Sequence, residues 1–213
     1  MLIVFLHGIL GTRKDWDEVI QHLPYQCLTF DLPGHGASPI DFDLFKEMKK
    51  LPPFHLVGYS MGGRIALQYP GETLSLTLIS THLGLKTDHE RAARLARDQK
   101  TAEEILSLPI DEFLKRWYDQ PLFKTLRSKI DICQMRKEQN RAGLAAALIN
   151  YSLGKQPDYS DKKATYLIGE DDEAYRTLYQ NTPHTLIPNA GHAAHLENPT
   201  QIAKEIHEHL LSI

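Results

Sequence analysis

The stretch Gly58-Tyr59-Ser60-Met61-Gly62 constrains this chain more than any other. An apolar run at residues 54–57 leads into it, and residues 63–67 continue as a helix, so the stretch predicts a sharp turn from a strand into a helix. Glycine is needed at both ends because strand and helix nearly touch at such a turn. The turn strains the serine backbone and exposes its hydroxyl at the carboxyl edge of a sheet. This pattern is a nucleophile elbow, and Ser60 is its candidate catalytic residue.

Two backbone N–H groups are candidates for an oxyanion hole beside Ser60. A helix that begins at Met61 leaves its first N–H groups unpaired and directs the positive end of its dipole at the serine. The second donor is expected from Ile9, which follows His7-Gly8 at the end of the first apolar run. The alternative is that His7-Gly8 only ends a strand. We therefore predict that the N–H groups of Ile9 and Met61 form the oxyanion hole.

Apolar runs alternate with helical segments along most of the chain. The strands are predicted at residues 2–6, 25–30, 54–57, 73–80, 164–168 and 185–188. Helices are predicted after Thr12, over residues 42–51, from Met61 and over residues 199–211. This alternation predicts an α/β fold with a mostly parallel sheet and right-handed crossovers.

A long helical stretch, residues 82–159, interrupts the alternation between two predicted strands. An insertion of this length on the carboxyl side of the sheet predicts a helical lid over the site. The alternative is ordinary helical packing. The expected organisation is a core formed by residues 1–81 and 160–213 and a lid formed by residues 82–159.

Composition excludes several classes of partner. The chain has 213 residues, is 42% hydrophobic and suits one domain with a sizeable core. Its net charge of -3 gives no reason to expect nucleic acid or an anionic membrane as partner. No run approaches the roughly 20 apolar residues of a membrane span. No secretory leader is apparent, so Cys27 and Cys133 are expected to be reduced and the protein cytoplasmic.

A serine, an acid and a histidine follow three predicted strands in the order Ser60, Asp172 and His192. A serine hydroxyl becomes reactive when an imidazole takes its proton, and a carboxylate holds that imidazole in the required tautomer. Asp171 is the alternative acid, and His195 is the alternative base. This chain order is typical of the α/β-hydrolase fold.

Metal and cofactor chemistry is not predicted. His207 and His209 are expected on a solvated face of the last helix, and their spacing does not place two metal ligands on one helix face. The expected ligand is therefore a small molecule alone, and the sequence does not specify the oligomeric state.

The whole chain resembles the α/β-hydrolase superfamily and, within it, the 2-succinyl-6-hydroxy-2,4-cyclohexadiene-1-carboxylate synthases of menaquinone biosynthesis. The resemblance is carried by Phe5-Leu6-His7-Gly8, Asp15-Trp16, Asp31-Leu32-Pro33-Gly34-His35-Gly36, the elbow, Trp117-Tyr118-Asp119-Gln120-Pro121, Gly169-Glu170-Asp171-Asp172 and Ala190-Gly191-His192. It implies an α/β-hydrolase fold with a helical lid. The leading antiparallel strands usual in the superfamily are expected to be missing.

The resemblance also implies a reaction and a set of binding residues. The reaction is the elimination of pyruvate from a substrate with three carboxylates, with Ser60 acting as a base rather than as a covalent nucleophile. The residues implied for substrate binding are Tyr59, Arg64, Arg94, Trp117 and Arg136. Arginine suits this role because its planar fork matches a carboxylate. The rival predictions are a carboxylesterase or thioesterase with the same triad and a catalytically silent binding protein.

Overall fold

The computed structural model describes all 213 residues and contains one sheet of six strands. The strand order is β2-β1-β3-β4-β5-β6, and every pairing is parallel. The strands are β1 (Leu2–Leu6), β2 (Gln26–Phe30), β3 (Phe54–Tyr59), β4 (Ser75–Ile79), β5 (Thr165–Gly169) and β6 (Thr185–Ile187). The predicted α/β class is confirmed, and the sheet is parallel throughout.

The central strands explain why their sequences are continuously apolar. β1 and β3 are buried at every position, because helices cover both faces of the sheet. β2 lies at one edge and is only partly buried. The pattern of apolar runs therefore identifies the strands well, and the most apolar runs form the centre of the sheet.

Eleven α-helices surround this sheet. They are α1 (Asp17–Gln21), α2 (Leu44–Met48), α3 (Met61–Leu67), α4 (Asp88–Ser107), α5 (Ile110–Tyr118), α6 (Lys124–Lys129), α7 (Ile132–Arg136), α8 (Arg141–Asn150), α9 (Glu173–Leu178), α10 (Ala194–Glu197) and α11 (Pro199–Leu211). The helix predicted over residues 42–51 is shorter because Asp43 caps α2 by accepting a hydrogen bond from the Lys46 N–H. The helix predicted after Thr12 begins instead as a 3-10 turn.

Five of these helices, α4 to α8, lie between β4 and β5. We call this part of the chain the helical insert. Thr87 and Glu90 form a capping box that starts α4, and α4 packs along α8. Asp131 and Asn140 cap α7 and α8, so the stretch predicted as one long helical region is divided into short helices. The predicted helical content is confirmed.

Strand order determines where a site can form. The chain leaves β1 towards β2, whereas β3 pairs with the opposite side of β1. Leu6 is in register with Gly58, so the loops that follow β1 and β3 lie side by side at the carboxyl edge. This arrangement is a topological switch point, where ligands bind in open α/β sheets. None of the helices combines the length and apolar character needed to cross a membrane.

The prediction for His207 and His209 is wrong. Both histidines are half-buried rather than solvated. The His207 ring lies 2.8 Å from the Tyr25 hydroxyl, and the His209 ring lies 3.2 Å from the hydroxyl of Thr165. The prediction treated α11 alone, but α11 packs against α1 and α10, and its two histidines meet the hydroxyls of Tyr25 and Thr165. The cysteines are free, as expected.

Candidate active site

Ser60 occupies the turn between β3 and α3 in a strained conformation, with φ 50° and ψ -110°. Its N–H donates to the Ile79 carbonyl. A Cβ atom at Gly62 would lie 2.3 Å from the carbonyl oxygens of Leu6 and His7, so only glycine fits there. The packing of α3 directly on the end of β1 therefore enforces the predicted elbow.

Ser60, His192 and Asp172 form one hydrogen-bonded chain. The Nδ1–H of His192 donates to Asp172 Oδ2 over 2.8 Å, and His192 Nε2 lies 3.3 Å from Ser60 Oγ. The other oxygen of Asp172 accepts the N–H of Tyr175 and caps α9. The acid is therefore anchored from two sides. The structure thus brings together the three residues that the sequence selects.

The alternative residues lie outside this chain of hydrogen bonds. Asp171 is exposed, and its recorded backbone bond goes to the Ala190 carbonyl. His195 is buried between the rings of Trp16 and Tyr59, at centroid distances of 4.6 and 4.2 Å, and neither ring nitrogen has a partner. Burial holds the pKa of His195 well below its usual value. His195 is therefore a neutral packing residue beneath the site.

Aromatic rings enclose the imidazole of His192. The ring of Tyr175 lies 4.6 Å away, that of Tyr59 5.5 Å and that of Phe123 5.9 Å. Burial, together with the nearby Asp172 carboxylate, raises the pKa of Tyr175 to about 12. Burial also raises the pKa of Tyr59. Both hydroxyls therefore keep their protons at neutral pH and are hydrogen-bond donors.

The Gly8–Ile9 peptide is fixed by two hydrogen bonds to its carbonyl. His7 Nδ1 lies 2.7 Å from the Gly8 oxygen, and the Gly11 N–H donates to the same oxygen. The other ring nitrogen of His7 accepts the Leu32 N–H, so the ring proton is on Nδ1. Burial lowers the pKa of His7 to about 4 and keeps the ring neutral. Because the peptide is planar and trans, anchoring its carbonyl also orients its N–H.

Both candidate oxyanion donors are available to a ligand. The Ile9 N–H donates no hydrogen bond within the protein, and Met61 begins α3, where no intrahelical acceptor exists. Both residues line a cavity of about 430 Å³ that also contains Ser60 and His192. The same cavity is lined by all five residues expected to bind substrate: Tyr59, Arg64, Arg94, Trp117 and Arg136.

Arg64 presents unbalanced positive charge to this cavity, and Arg94 presents a guanidinium that is paired with an acid. Arg64 lies in α3 and donates to the Tyr151 carbonyl over 2.5 Å, without an acidic partner. Burial and the neighbouring Arg94 lower its pKa to about 10, so it stays charged at neutral pH. Arg94 lies in α4, where its Nε donates to Asp98 over 2.8 Å. Its side chain is 28% exposed, which leaves its other nitrogens reachable from the cavity.

Arg136, like Arg94, has an acid that balances its charge, and here the pair is bidentate and buried. Its two terminal nitrogens donate to the two oxygens of Asp15, each over 2.7 Å. The side chains are only 4% and 2% exposed, and Arg136 Nε has no partner. Burial opposes the charge of Arg136, but Asp15 raises the pKa of Arg136 above its usual value. Asp15 was not predicted in this role, because a separation of 121 residues leaves no local signal.

Two further cavity residues, Asp98 and His82, were not selected from the sequence. Asp98 follows Arg94 by four residues, and this helical spacing was a usable signal for an ion pair. Burial, followed by the charges of Arg94 and Arg64, lowers the pKa of His82 to about 4. His82 therefore contributes a neutral ring to the cavity wall. No cluster of three or more histidine, cysteine, aspartate or glutamate side chains is arranged to hold a metal.

A parallel sheet in this order, with a serine elbow after β3, an acid after β5 and a histidine after β6, defines a hydrolase-type fold. The family described as "Alpha/beta hydrolase family" matches residues 3–205. The chain belongs to this family. A thermophilic esterase from Thermogutta terrifontis shares the fold, with a TM-score of 0.75 at 21% identity.

Closer relatives define a narrower group. The 2-succinyl-6-hydroxy-2,4-cyclohexadiene-1-carboxylate synthase of Enterobacter sp. (strain 638) is 36% identical, over 94% of this chain and 88% of that protein. The synthase of the same name from Salmonella typhimurium (strain LT2) is 34% identical, over 96% of this chain and 91% of that protein. The structure of MenH from S. aureus superposes with a TM-score of 0.89 at 27% identity. The superposition covers 100% of this chain and 94% of that protein. Within the alpha/beta hydrolases, the chain thus belongs to the family of these synthases.

Proposed function

We propose that this enzyme is a lyase of menaquinone biosynthesis. It eliminates pyruvate from 2-succinyl-5-enolpyruvyl-6-hydroxy-3-cyclohexene-1-carboxylate and produces 2-succinyl-6-hydroxy-2,4-cyclohexadiene-1-carboxylate. The observation that carries the proposal is that Arg64 and Arg94 line the same cavity as Ser60 and His192. A substrate with three carboxylates needs such cations, whereas an enzyme for neutral esters does not. The names of the relatives support the same reaction.

The proposed mechanism begins with proton abstraction. His192, oriented by Asp172, takes the proton of Ser60, and the serine oxygen removes the ring proton next to the succinyl ketone. The N–H groups of Ile9 and Met61 stabilise the resulting enolate. Collapse of the enolate breaks the ring carbon–oxygen bond, and the side chain leaves as enolpyruvate. The enolpyruvate takes up a proton and tautomerises to pyruvate.

Residues 82–159 act in this proposal as a lid over the core formed by residues 1–81 and 160–213. Support comes from the cavity walls, because Arg94 in α4, Trp117 in α5 and Arg136 in α7 all line the cavity that contains Ser60. Arg64 supplies net charge from the core, and Arg94, paired with Asp98, supplies guanidinium donors from the lid. Arg136 contributes hydrogen-bond donors rather than net charge, since Asp15 neutralises it.

The test is to generate the enolpyruvyl substrate in situ and measure pyruvate release. Ser60→Ala should reduce kcat by at least about 10³-fold, because the base is removed. Arg94→Ala should reduce kcat/KM by about 10- to 100-fold, which corresponds to losing one charged hydrogen bond. Lys100→Ala removes an exposed charge from the same helix and is the matched control, with an expected change below about twofold.

An acyl hydrolase is the second candidate, because a serine held 3.3 Å from His192 Nε2 also suits attack on an ester. In that case Ser60 is a covalent nucleophile. Hydrolysis of nitrophenyl esters without acceleration of pyruvate release, and without an effect of Arg94→Ala, would establish this second function instead. Folded protein that turns over neither substrate would favour the silent binding protein.

A further inference from the structure

Leu10, the residue after the candidate oxyanion donor Ile9, has a left-handed backbone with φ 63°. This conformation is unfavourable for a leucine and persists only where the surroundings hold it. Side chains from two distant segments bind both peptide groups of Leu10. Its N–H donates to His35 Nε2 over 3.3 Å, and its carbonyl accepts a hydrogen bond from the Gln139 amide.

Gln139 connects the helical insert to two core loops. Its Nε2 donates to the Leu10 carbonyl, and its Oε1 accepts the Gly36 N–H over 3.2 Å. Two neighbouring contacts dock the same part of the insert on the core. Arg136 pairs with Asp15, and a Cβ atom at Gly143 would lie 2.5 Å from the Gly34 oxygen. The segment from residue 136 to residue 143 therefore docks on the connections that follow β1 and β2, and Gln139 is the residue that reaches the loop carrying Ile9.

We propose that Gln139 is a positioning residue for the oxyanion hole. By holding Leu10 in its left-handed conformation, Gln139 keeps the preceding residue in place and aims the Ile9 N–H into the cavity. The inference rests on the oxyanion role in the proposed function, and that role is the same for an elimination and for acyl transfer. The position of the lid and the geometry of the oxyanion hole are therefore coupled through one side chain.

Two side chains restrain the backbone on either side of Leu10. His35 binds its N–H, and Gln139 binds the next carbonyl, so both sides of the strained residue are restrained. Without Gln139, Leu10 keeps only its hydrogen bond to His35 and can relax towards a common backbone conformation. That rotation shifts Ile9 partially, because two hydrogen bonds still hold the Gly8 carbonyl. Misplacement of a catalytic group by about 1 Å can cost up to about 100-fold in rate. A partial displacement should cost less and should affect the transition state more than the bound substrate.

The experiment compares Gln139→Ala and Gln139→Glu with wild type. Glutamate can still accept the Gly36 N–H but has no amide to donate to Leu10. The matched control is Gln134→Ala, because Gln134 is exposed on α7 and its side chain makes no hydrogen bond. Two readouts are used: pyruvate release, and the affinity for butaneboronic acid, whose tetrahedral adduct with Ser60 places an oxygen in the oxyanion hole.

Both Gln139 variants should lower kcat about tenfold with KM changed less than twofold, and should weaken boronate binding about tenfold. Gln134→Ala should match wild type. The inference is overturned if kcat and boronate affinity of Gln139→Ala stay within twofold of wild type, or if the control loses as much. If wild type releases no pyruvate, the proposed function fails while boronate affinity still decides the role of Gln139. If wild type binds no boronate, the oxyanion hole is not formed as proposed, and the inference is wrong.

Discussion

Asp172 shows how much depends on a single residue. Its two carboxylate oxygens have different partners. One accepts the His192 N–H, and the other accepts the Tyr175 N–H and so caps α9. Asp171, its neighbour, is exposed and makes no hydrogen bond to His192. The position of one carboxylate relative to the end of β5 thus decides which acid can orient the imidazole. Composition alone does not distinguish two adjacent aspartates.

Replacing Asp172 by asparagine should reduce kcat for pyruvate release by about 10³- to 10⁴-fold, because the imidazole loses the partner that fixes its tautomer and stabilises its charge. Asp171→Asn is the matched control, with an expected loss below about twofold. Steady-state kinetics on both variants checks this. Equal losses in the two variants would contradict the assignment of Asp172.

At the scale of elements, the elbow depends on contact between α3 and β1. The helix begins so close to the strand that no side chain fits at Gly62. The strand–helix pattern therefore predicts this junction from sequence, since the two glycines and the flanking apolar residues are local. Element ends are less predictable, because caps such as Asp43 and Asn140 stop or start helices inside stretches that look uniformly helical.

Gly62→Ala should destabilise the protein by about 1–3 kcal/mol, because the new methyl group meets backbone oxygens of β1 and its loop that cannot move aside easily. The comparison is Gly71→Ala, where the nearest atoms belong to the movable Tyr69 side chain and the expected change is below about 1 kcal/mol. Urea unfolding measures both. A Gly62→Ala protein as stable as wild type would show that α3 can shift freely.

For the whole molecule, two buried histidines join the loops after β1 and β2. His7 accepts the Leu32 N–H, and His35 accepts the Leu10 N–H, so each ring supports the opposite loop. The rings lie 5.1 Å apart. Burial lowers the pKa of His7 to about 4, and burial together with His7 lowers that of His35 to about 3. The Nε2 atoms of His7 and His35 must stay unprotonated, because a protonated nitrogen cannot accept these hydrogen bonds.

Stability should therefore fall in acid. The unfolded chain protonates His7 and His35 below about pH 6.5, whereas the folded protein does not until about pH 4. The stabilisation is complete above pH 6.5 and decreases as the pH drops towards 4, by about 1.4 kcal/mol per pH unit for each histidine. Urea unfolding at pH 7, 6 and 5 measures the slope. His7→Asn should reduce the slope by about 1.4 kcal/mol per pH unit, because His35 and the other buried histidines still contribute. The exposed His22→Gln should leave the slope unchanged. Equal stability at pH 7 and pH 5 would contradict the role of the two histidines.

The sequence by itself determined the strands, the elbow and the order of serine, acid and histidine, because these depend on apolar runs, glycines and neighbours a few residues apart. It also identified Arg64 and Arg94 as cavity cations through the family resemblance. Only the tertiary structure decided that Asp15 neutralises Arg136 and that Gln139 holds Leu10. Those pairings join residues more than 120 positions apart, and only the packing of the insert on the core brings them within hydrogen-bonding distance.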